Sequence, residues 1–259
     1  MDQTERRNYL IKNLINEQPR FRGIKPEIQE DSARRQLRSL MNIRMPAPIT
    51  KEFEEIQDAY LKEENGKRGI ITVSDMEEVE PGIYLWKGDI TRLAVDGIVN
   101  AANSGMTGCY QPCHNCIDNC IHTYAGIQLR NACAKIMEKQ GHEEPTGQAK
   151  ITPGFYLPCK YVLHTVGPVV DGPLTNEHEK LLASCYRSCL ELADNYKLKS
   201  LAFCCISTGV FMFPNERAAL IAVQTVRDYR TQTGSGIEVI FNVWKDKDYE
   251  LYRKLLGRD

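Results

Sequence analysis

The 259-residue sequence carries no basic excess: 33 Lys and Arg stand against 34 Asp and Glu. Gripping a nucleic-acid backbone takes a cationic face that releases counterions, so this balance argues against a nucleic-acid partner. The sequence also lacks any run near the roughly 20 apolar residues that cross a bilayer. Its first residues, MDQTERRNYL, lack the apolar core of a secretion signal. The expectation is a soluble, cytoplasmic protein with no membrane partner. Internal repeats and low-complexity tracts are missing too, which excludes a solenoid or a disordered tether as the organising plan.

Cysteine is plentiful, at ten residues, but unevenly spaced in a long chain, unlike the framework of a small secreted scaffold. Reduced thiols are the expectation. Five fall between Cys109 and Cys133, while Cys159, Cys185, Cys189, Cys204 and Cys205 sit in apolar surroundings and read as core filler.

With 42% hydrophobic residues the chain suffices for one large domain with an appendage. Residues 1–80 read as a charged, helical N-terminal extension, carried by RRNYLIKNLI, DSARRQLRSLMNI and KEFEEIQDAYLKEE with RMPAPIT as a break. From Ile83 onward the pattern changes. Short β-rich runs (IYLW, GIVNAA, YVLHTV, LAFCCIS, EVIFNV) alternate with amphipathic segments, which predicts α/β architecture. Residues 116–139 place Ile117, Ile121, Ala125, Leu129, Ala132 and Ile136 at spacings of three and four, predicting one helix with a single apolar stripe. Further helices are expected over residues 177–195, after Phe213 with Pro214 in the first turn, and over DYELYRKLLG.

Three segments carry chemistry. In ISTGVFMFP, residues 206–214, a strand gives way to Ser207, Thr208 and Gly209 ahead of a helix, a place where free N–H groups attract a phosphate or where the chain merely turns. Phe211 and Phe213 read either as cover for a ribose or base or as ordinary packing. In GDIT, residues 88–91, Asp89 accepts the exocyclic amine of adenine or caps the next turn. Asn100 and Asn103, in GIVNAAN, end a strand on the usual ligand side of an α/β sheet, where their amides reach sugar hydroxyls or brace a loop.

The third segment, GCYQPCHNCIDNCIHTYAG at residues 108–126, concentrates Cys109, Cys113, His114, Cys116 and Cys120 at a helix start. Thiolates and an imidazole at this density suit zinc. Three ligands, Cys109, His114 and Cys116, leave one coordination position open, as catalysis requires; a fourth from Cys113 or Cys120 makes a closed structural site. Asp118 either favours the positive end of the helix dipole or acts beside the metal on water or on charge developing at a sugar. His122 is open between a structural and a functional role, and His164 reads as a satisfied core residue.

In order, GDIT at 88–91, VNAAN at 99–103, IDNCIHTYAG at 117–126, GQAKITPGFYLPCKYVLHTVGP at 147–168 and STGVF at 207–211 resemble the macrodomain family over residues 83–256. The resemblance implies a three-layer α/β/α macrodomain with a mixed central sheet over residues 81–259, behind the helical extension. Most macrodomains are glycine-rich ahead of the aspartate, whereas this chain has GCYQPCHNC, similar to a zinc-dependent bacterial subgroup of MacroD-like protein-ADP-ribose hydrolases. The resemblance implies that Asp89 reads adenine and that Gly209, Val210 and Phe211 wrap the diphosphate, with Ile90, Ser207 and Thr208 also binding the ligand. It assigns Asn103 and Asp118 to the distal ribose, both being catalytic, and counts Asn100 and Ala102 among the ligand-binding residues. By the same resemblance one Zn2+ per chain is held by Cys109, His114 and Cys116, and Trp244 lies where an aromatic often faces adenine. The implied activity is hydrolytic removal of mono-ADP-ribose from protein side chains. The alternatives are a non-catalytic ADP-ribose reader and a deacetylase of O-acetyl-ADP-ribose. The implied partners are ADP-ribose and mono-ADP-ribosylated protein, among them a lipoyl-carrier protein of a sirtuin-linked system.

Overall fold

The computed structural model describes residues 1–21 and 23–257. Three helices come first: α1 (Gln3–Asn16), α2 (Glu30–Ile43) and α3 (Lys51–Lys67). Asp2 and Glu5 form a reciprocal capping box at the start of α1, and Thr50 accepts from the N–H of Phe53 at the start of α3. Leu10, Ile11 and Leu14, Ala33, Leu37 and Leu40, and Phe53, Tyr60 and Leu61 turn inward to form a core of their own. Ile127, from outside the bundle, completes it.

A seven-stranded sheet follows, built from β1 (Glu77–Glu80), β2 (Ile83–Lys87), β3 (Gly97–Ala102), β4 (Ala149–Pro153), β5 (Tyr161–Val166), β6 (Ser200–Phe203) and β7 (Glu238–Val243). Their spatial order is β1-β2-β7-β6-β3-β5-β4. The five inner strands are parallel, and β1 and β4 run antiparallel at the two edges. Two separate layers of helices cover the sheet: α4 (Ile117–Ala125) with α5 (Ile127–Gln140), and α6 (Asn176–Asn195) with α7 (Asn215–Thr233) and α8 (Asp246–Leu255). The expected mixed-sheet α/β/α fold with a helical N-terminal region is the one found.

Several local expectations need correction. The helix expected over residues 116–139 is two helices. Gly126, at φ +92°, closes α4 and opens α5, and a Cβ there would meet the Gln128 and Gln57 side chains below 3.0 Å, so only glycine fits this corner. The apolar stripe runs on across the break because both halves pack on the same core. Strands β1 and β4 were not anticipated. Their sequences, EEVE and AKITP, carry the charge and proline typical of edges, where an alternating apolar pattern is unnecessary. β1 lies inside the stretch expected to be helical. Pro214 is the N-cap of α7, one position ahead of its first turn.

Parallel strands put the ends of β2, β3, β5, β6 and β7 on one edge of the sheet. The pairing of β3 with β6 covers only Gly97↔Leu201 and Ile98↔Ala202. Beyond it the two strands no longer share a ladder, and the loops after β3 and β6 meet at the crevice where α/β sheets bind ligands.

Candidate active site

Asp118 stands in the first turn of α4, directly beyond the end of β3, and is 5% exposed. Each of its oxygens faces an asparagine from β3 or the loop after it: Asn100 Nδ2 donates to Oδ1 at 2.8 Å and Asn103 Nδ2 to Oδ2 at 3.4 Å. Burial pushes the Asp118 carboxyl up to about 6, against the opposing pull of the Asn100 amide and Arg130.

Asn100 is fully buried, so it sits behind the carboxylate. Its amide also reaches His164 Nδ1 at 3.2 Å, and His164 Nε2 lies 2.9 Å from Thr152 Oγ1. Because an amide nitrogen only donates, Nδ1 of His164 accepts and its proton rests on Nε2, directed at Thr152. Burial holds the His164 imidazole down to about 3, hence neutral, in keeping with a core residue. His122 lies one turn after Asp118, with Nε2 3.5 Å from Asp118 Oδ1, and burial holds it neutral as well. His122, Cys133 and His164 form a compact buried trio, but both ring nitrogens of His164 are already engaged by Asn100 and Thr152.

Two residues before Asp118, the cysteine-rich loop brings together three of its candidates. The ligand atoms of Cys109, His114 and Cys116 all lie within 4.8 Å of one another, and Cys109 Sγ is 3.6 Å from His114 Nδ1. A tetrahedral zinc with ordinary Zn–S and Zn–N bonds separates sulfur from nitrogen by about 3.6 Å, so the donor set and its spacing fit the ion. The other two thiols turn away: Cys113 Sγ donates to the Arg35 carbonyl, and Cys120 Sγ lies 3.7 Å from the Arg38 guanidinium. Burial pushes the Cys116 thiol up.

The loop after β6 forms the opposite wall. Ser207 and Met212 adopt left-handed backbone, and the N–H of Phe213 donates to the Ser207 carbonyl, so the chain doubles back. No described residue accepts a hydrogen bond from the N–H groups of Gly209, Val210 or Phe211. Gly209 and Val210 are exposed, Thr208 and Phe211 are half-buried, and Phe213 is core. Ser207 is buried against Gly167, where an added Cβ would fall 2.0 Å from its hydroxyl.

At the far end, Asp89 caps the turn Ile90–Arg92 by accepting from the N–H and hydroxyl of Thr91. Its second oxygen accepts from Arg68 at 2.5 Å. Ile90 and Ala102 are each 1% exposed, their apolar side chains packed into the body of the fold. Trp244 is 71% exposed just after β7, whose last carbonyl accepts from the Gly88 N–H.

Four residues that shape the site were not singled out from the sequence: Arg38, Asn42, Arg68 and Arg130. The first three lie in charged helical stretches indistinguishable by pattern from solvated faces. Arg130, 4% exposed, gave a weak signal as a cation interrupting an apolar helix.

The Macro domain family pattern matches residues 99–222. A protein-ADP-ribose hydrolase of Treponema medium is 56% identical over 99% of this chain and 100% of its own length. One of Staphylococcus aureus (strain MSSA476) is 49% identical over 86% of this chain and 84% of its own. Among solved structures, the Trypanosoma brucei macrodomain in complex with ADP-ribose superposes with a TM-score of 0.67 at 30% identity, over 85% of this chain and 95% of that one. The Oceanobacillus iheyensis macrodomain with ADP gives 0.63 at 35% identity, over 70% and 94%. With the family pattern lying on the strands and loops that build the crevice, and 49–56% identity to hydrolases over most of the chain, this chain is a hydrolase of the macro domain family.

Proposed function

We propose that this chain removes mono-ADP-ribose from modified protein side chains, with one Zn2+ per chain held by Cys109, His114 and Cys116. The observation that carries the reading is Asp118: a buried carboxylate, braced through both oxygens, two residues from a thiol of the metal trio. Bound there, zinc supplies a Lewis acid beside the distal ribose. Water adds across the bond between that ribose and a side-chain oxygen, most readily the ester-like link to an acidic residue, yielding free ADP-ribose and the restored side chain.

The protein's own groups divide the work. Asp118 orients the attacking water and takes up its proton, while Asn103, held by Asp118 and the Gly108 carbonyl, faces the ribose hydroxyls. Asn100 is the brace behind Asp118. The N–H groups of Gly209, Val210 and Phe211 receive the diphosphate, with Ser207 and Thr208 shaping the turn, so binding energy far from the reacting carbon fixes its position. Asp89 and the backbone of Ile90 take the adenine end, and Trp244 flanks it. The backbone at Ala102 lines the sugar side.

The turned-away thiols of Cys113 and Cys120 support an open catalytic metal position over a closed structural one. Ten unpaired cysteines suit a reducing cytoplasm. The same pocket chemistry supports ADP-ribosylated protein as partner, and the family resemblance supports a lipoyl-carrier protein among its substrates. The test is release of ADP-ribose from mono-ADP-ribosylated protein by wild type, Cys116→Ala and Asp118→Ala. Each variant is expected to lose roughly 10²–10⁴-fold in kcat. Undiminished turnover by both overturns the reading.

A further inference from the structure

We propose that helix α2 of the N-terminal bundle is part of the metal centre's frame, with Arg38 and Asn42 as positioning residues that keep Cys109, His114 and Cys116 converged. The inference rests on the reading of that trio as a zinc site and assigns the extension a part in holding it.

The loop from Thr107 to Cys116 has little means of holding its own shape. It contains no helix or strand, passes through left-handed backbone at Gly108 and Cys113, and makes one backbone hydrogen bond within itself, from the His114 N–H to the Gln111 carbonyl at 3.3 Å. Convergence of three ligands on one point must therefore be imposed by neighbours.

Arg38 does this from α2. Its Nη2 donates to the carbonyl of His114 at 2.7 Å, fixing the backbone of one ligand, and to Asn119 Oδ1 at 3.0 Å. With its oxygen so engaged, the Asn119 amide nitrogen donates to the carbonyls of Cys109 at 3.3 Å and Gln111 at 2.9 Å. The Asn119 N–H meets Cys116 Sγ at 3.4 Å. One guanidinium, acting directly and through one fully buried asparagine, thus reaches all three ligand residues.

Asn42 works one turn further along the same helix. Its oxygen accepts from the N–H of Cys113 at 2.9 Å, locking the left-handed residue beside His114, while its amide nitrogen donates to Thr123 of α4 at 2.9 Å. The far end of α2 is fixed from the other side by Arg130. Its Nη1 takes the otherwise unpaired helix-end carbonyls of Met41 and Asn42, and that of Arg44, at 2.7–3.0 Å, while its Nε holds the Thr107 carbonyl at 2.7 Å. Groups that orient metal ligands from behind are typically worth about 10–100-fold in metal affinity.

The test uses the full chain, freed of metal and titrated with zinc against a chromophoric chelator. Arg38→Met and Asn42→Ala are expected to bind zinc about 10–100-fold more weakly than wild type. Arg34→Met is the control on the same helix: Arg34 pairs with Glu30 and Glu64 inside the bundle, away from the loop, and its loss is expected to leave zinc affinity unchanged. Melting of the metal-free proteins separates loss of the bundle from loss of positioning. Wild-type affinity in both Arg38→Met and Asn42→Ala overturns this inference alone, as does an equal loss in Arg34→Met. A wild-type chain that takes up no zinc overturns the metal reading and this inference with it.

Discussion

Single atoms decide the shape of the loop after β6, the proposed seat of the diphosphate. Ser207, 5% exposed and in left-handed backbone, is pressed onto Gly167, the glycine after β5. A methyl group at residue 167 would lie 2.0 Å from the Ser207 hydroxyl and 2.8 Å from Ile206, a contact neither partner can relieve without moving the loop. Gly167→Ala is therefore expected to shift the N–H groups of Gly209, Val210 and Phe211 off their common target. An ångström of misplacement suffices for about ten- to hundredfold weaker ADP-ribose binding, measured by calorimetric titration. Zinc content should not change, since the cysteine-rich loop makes no contact with residue 167 in the hydrogen-bond pattern. Unaltered ADP-ribose affinity would show that the wall does not depend on this close approach.

Among the elements, the corner between α4 and α5 is the most demanding. Gly126 combines a φ of +92° with side-chain neighbours at 2.7 Å (Gln128 Oε1), 2.9 Å (Gln57 Nε2) and 3.0 Å (Leu61 Cδ1). Gly126→Ala forces a strained backbone and breaks into the buried Gln57–Gln128 bond, so a loss of about 1–3 kcal/mol is expected in denaturant unfolding. A change within a few tenths of a kcal/mol would mean the corner can relax. The same corner illustrates what periodicity can and cannot reveal. The stripe was legible because Ile117, Ile121, Ala125 and Leu129 pack on one core, yet a stripe reports only which face is buried and is blind to a bend lying in that plane. The inner strands were legible through their unbroken apolar runs, whereas β1 and β4, with one neighbour each, had no such pattern to show. Asp118, Asn103, Cys109, His114 and Cys116 stood out by chemistry and local spacing, and the structure does bring them together. Arg38, Asn42 and Arg68 did not, because each acts on a partner remote in the sequence: Arg38 reaches His114 at a separation of 76 positions, Asn42 reaches Cys113 at 71 and Arg68 reaches Asp89 at 21.

At the scale of the whole molecule, the question is whether the helical bundle and the sheet body are two folding units or one. Separate cores argue for two. The seam argues for one. Ile127 of α5 is buried in the bundle's core, and Gln57 bonds both its N–H and the Gln128 side chain. Asn65 donates to the carbonyls of Tyr124 and Tyr156, and Arg130, buried and charged, has three of its acceptors on the bundle side. Opening the seam would expose Ile127 and exchange these bonds for bonds to water, a net loss of about 0.5–1.5 kcal/mol for each neutral bond and about 1.5–3 kcal/mol for each bond from the guanidinium. Separation before unfolding is therefore more costly than unfolding together. Calorimetry is expected to give one transition whose calorimetric and van't Hoff enthalpies agree, and Ile127→Ala is expected to lower the stability of the whole by about 2–5 kcal/mol without splitting it. Two resolved transitions in the wild type, the first of them melting helix while ADP-ribose binding persists, would make the bundle an independent module. It would also require that the frame around Cys109, His114 and Cys116 survive without α2.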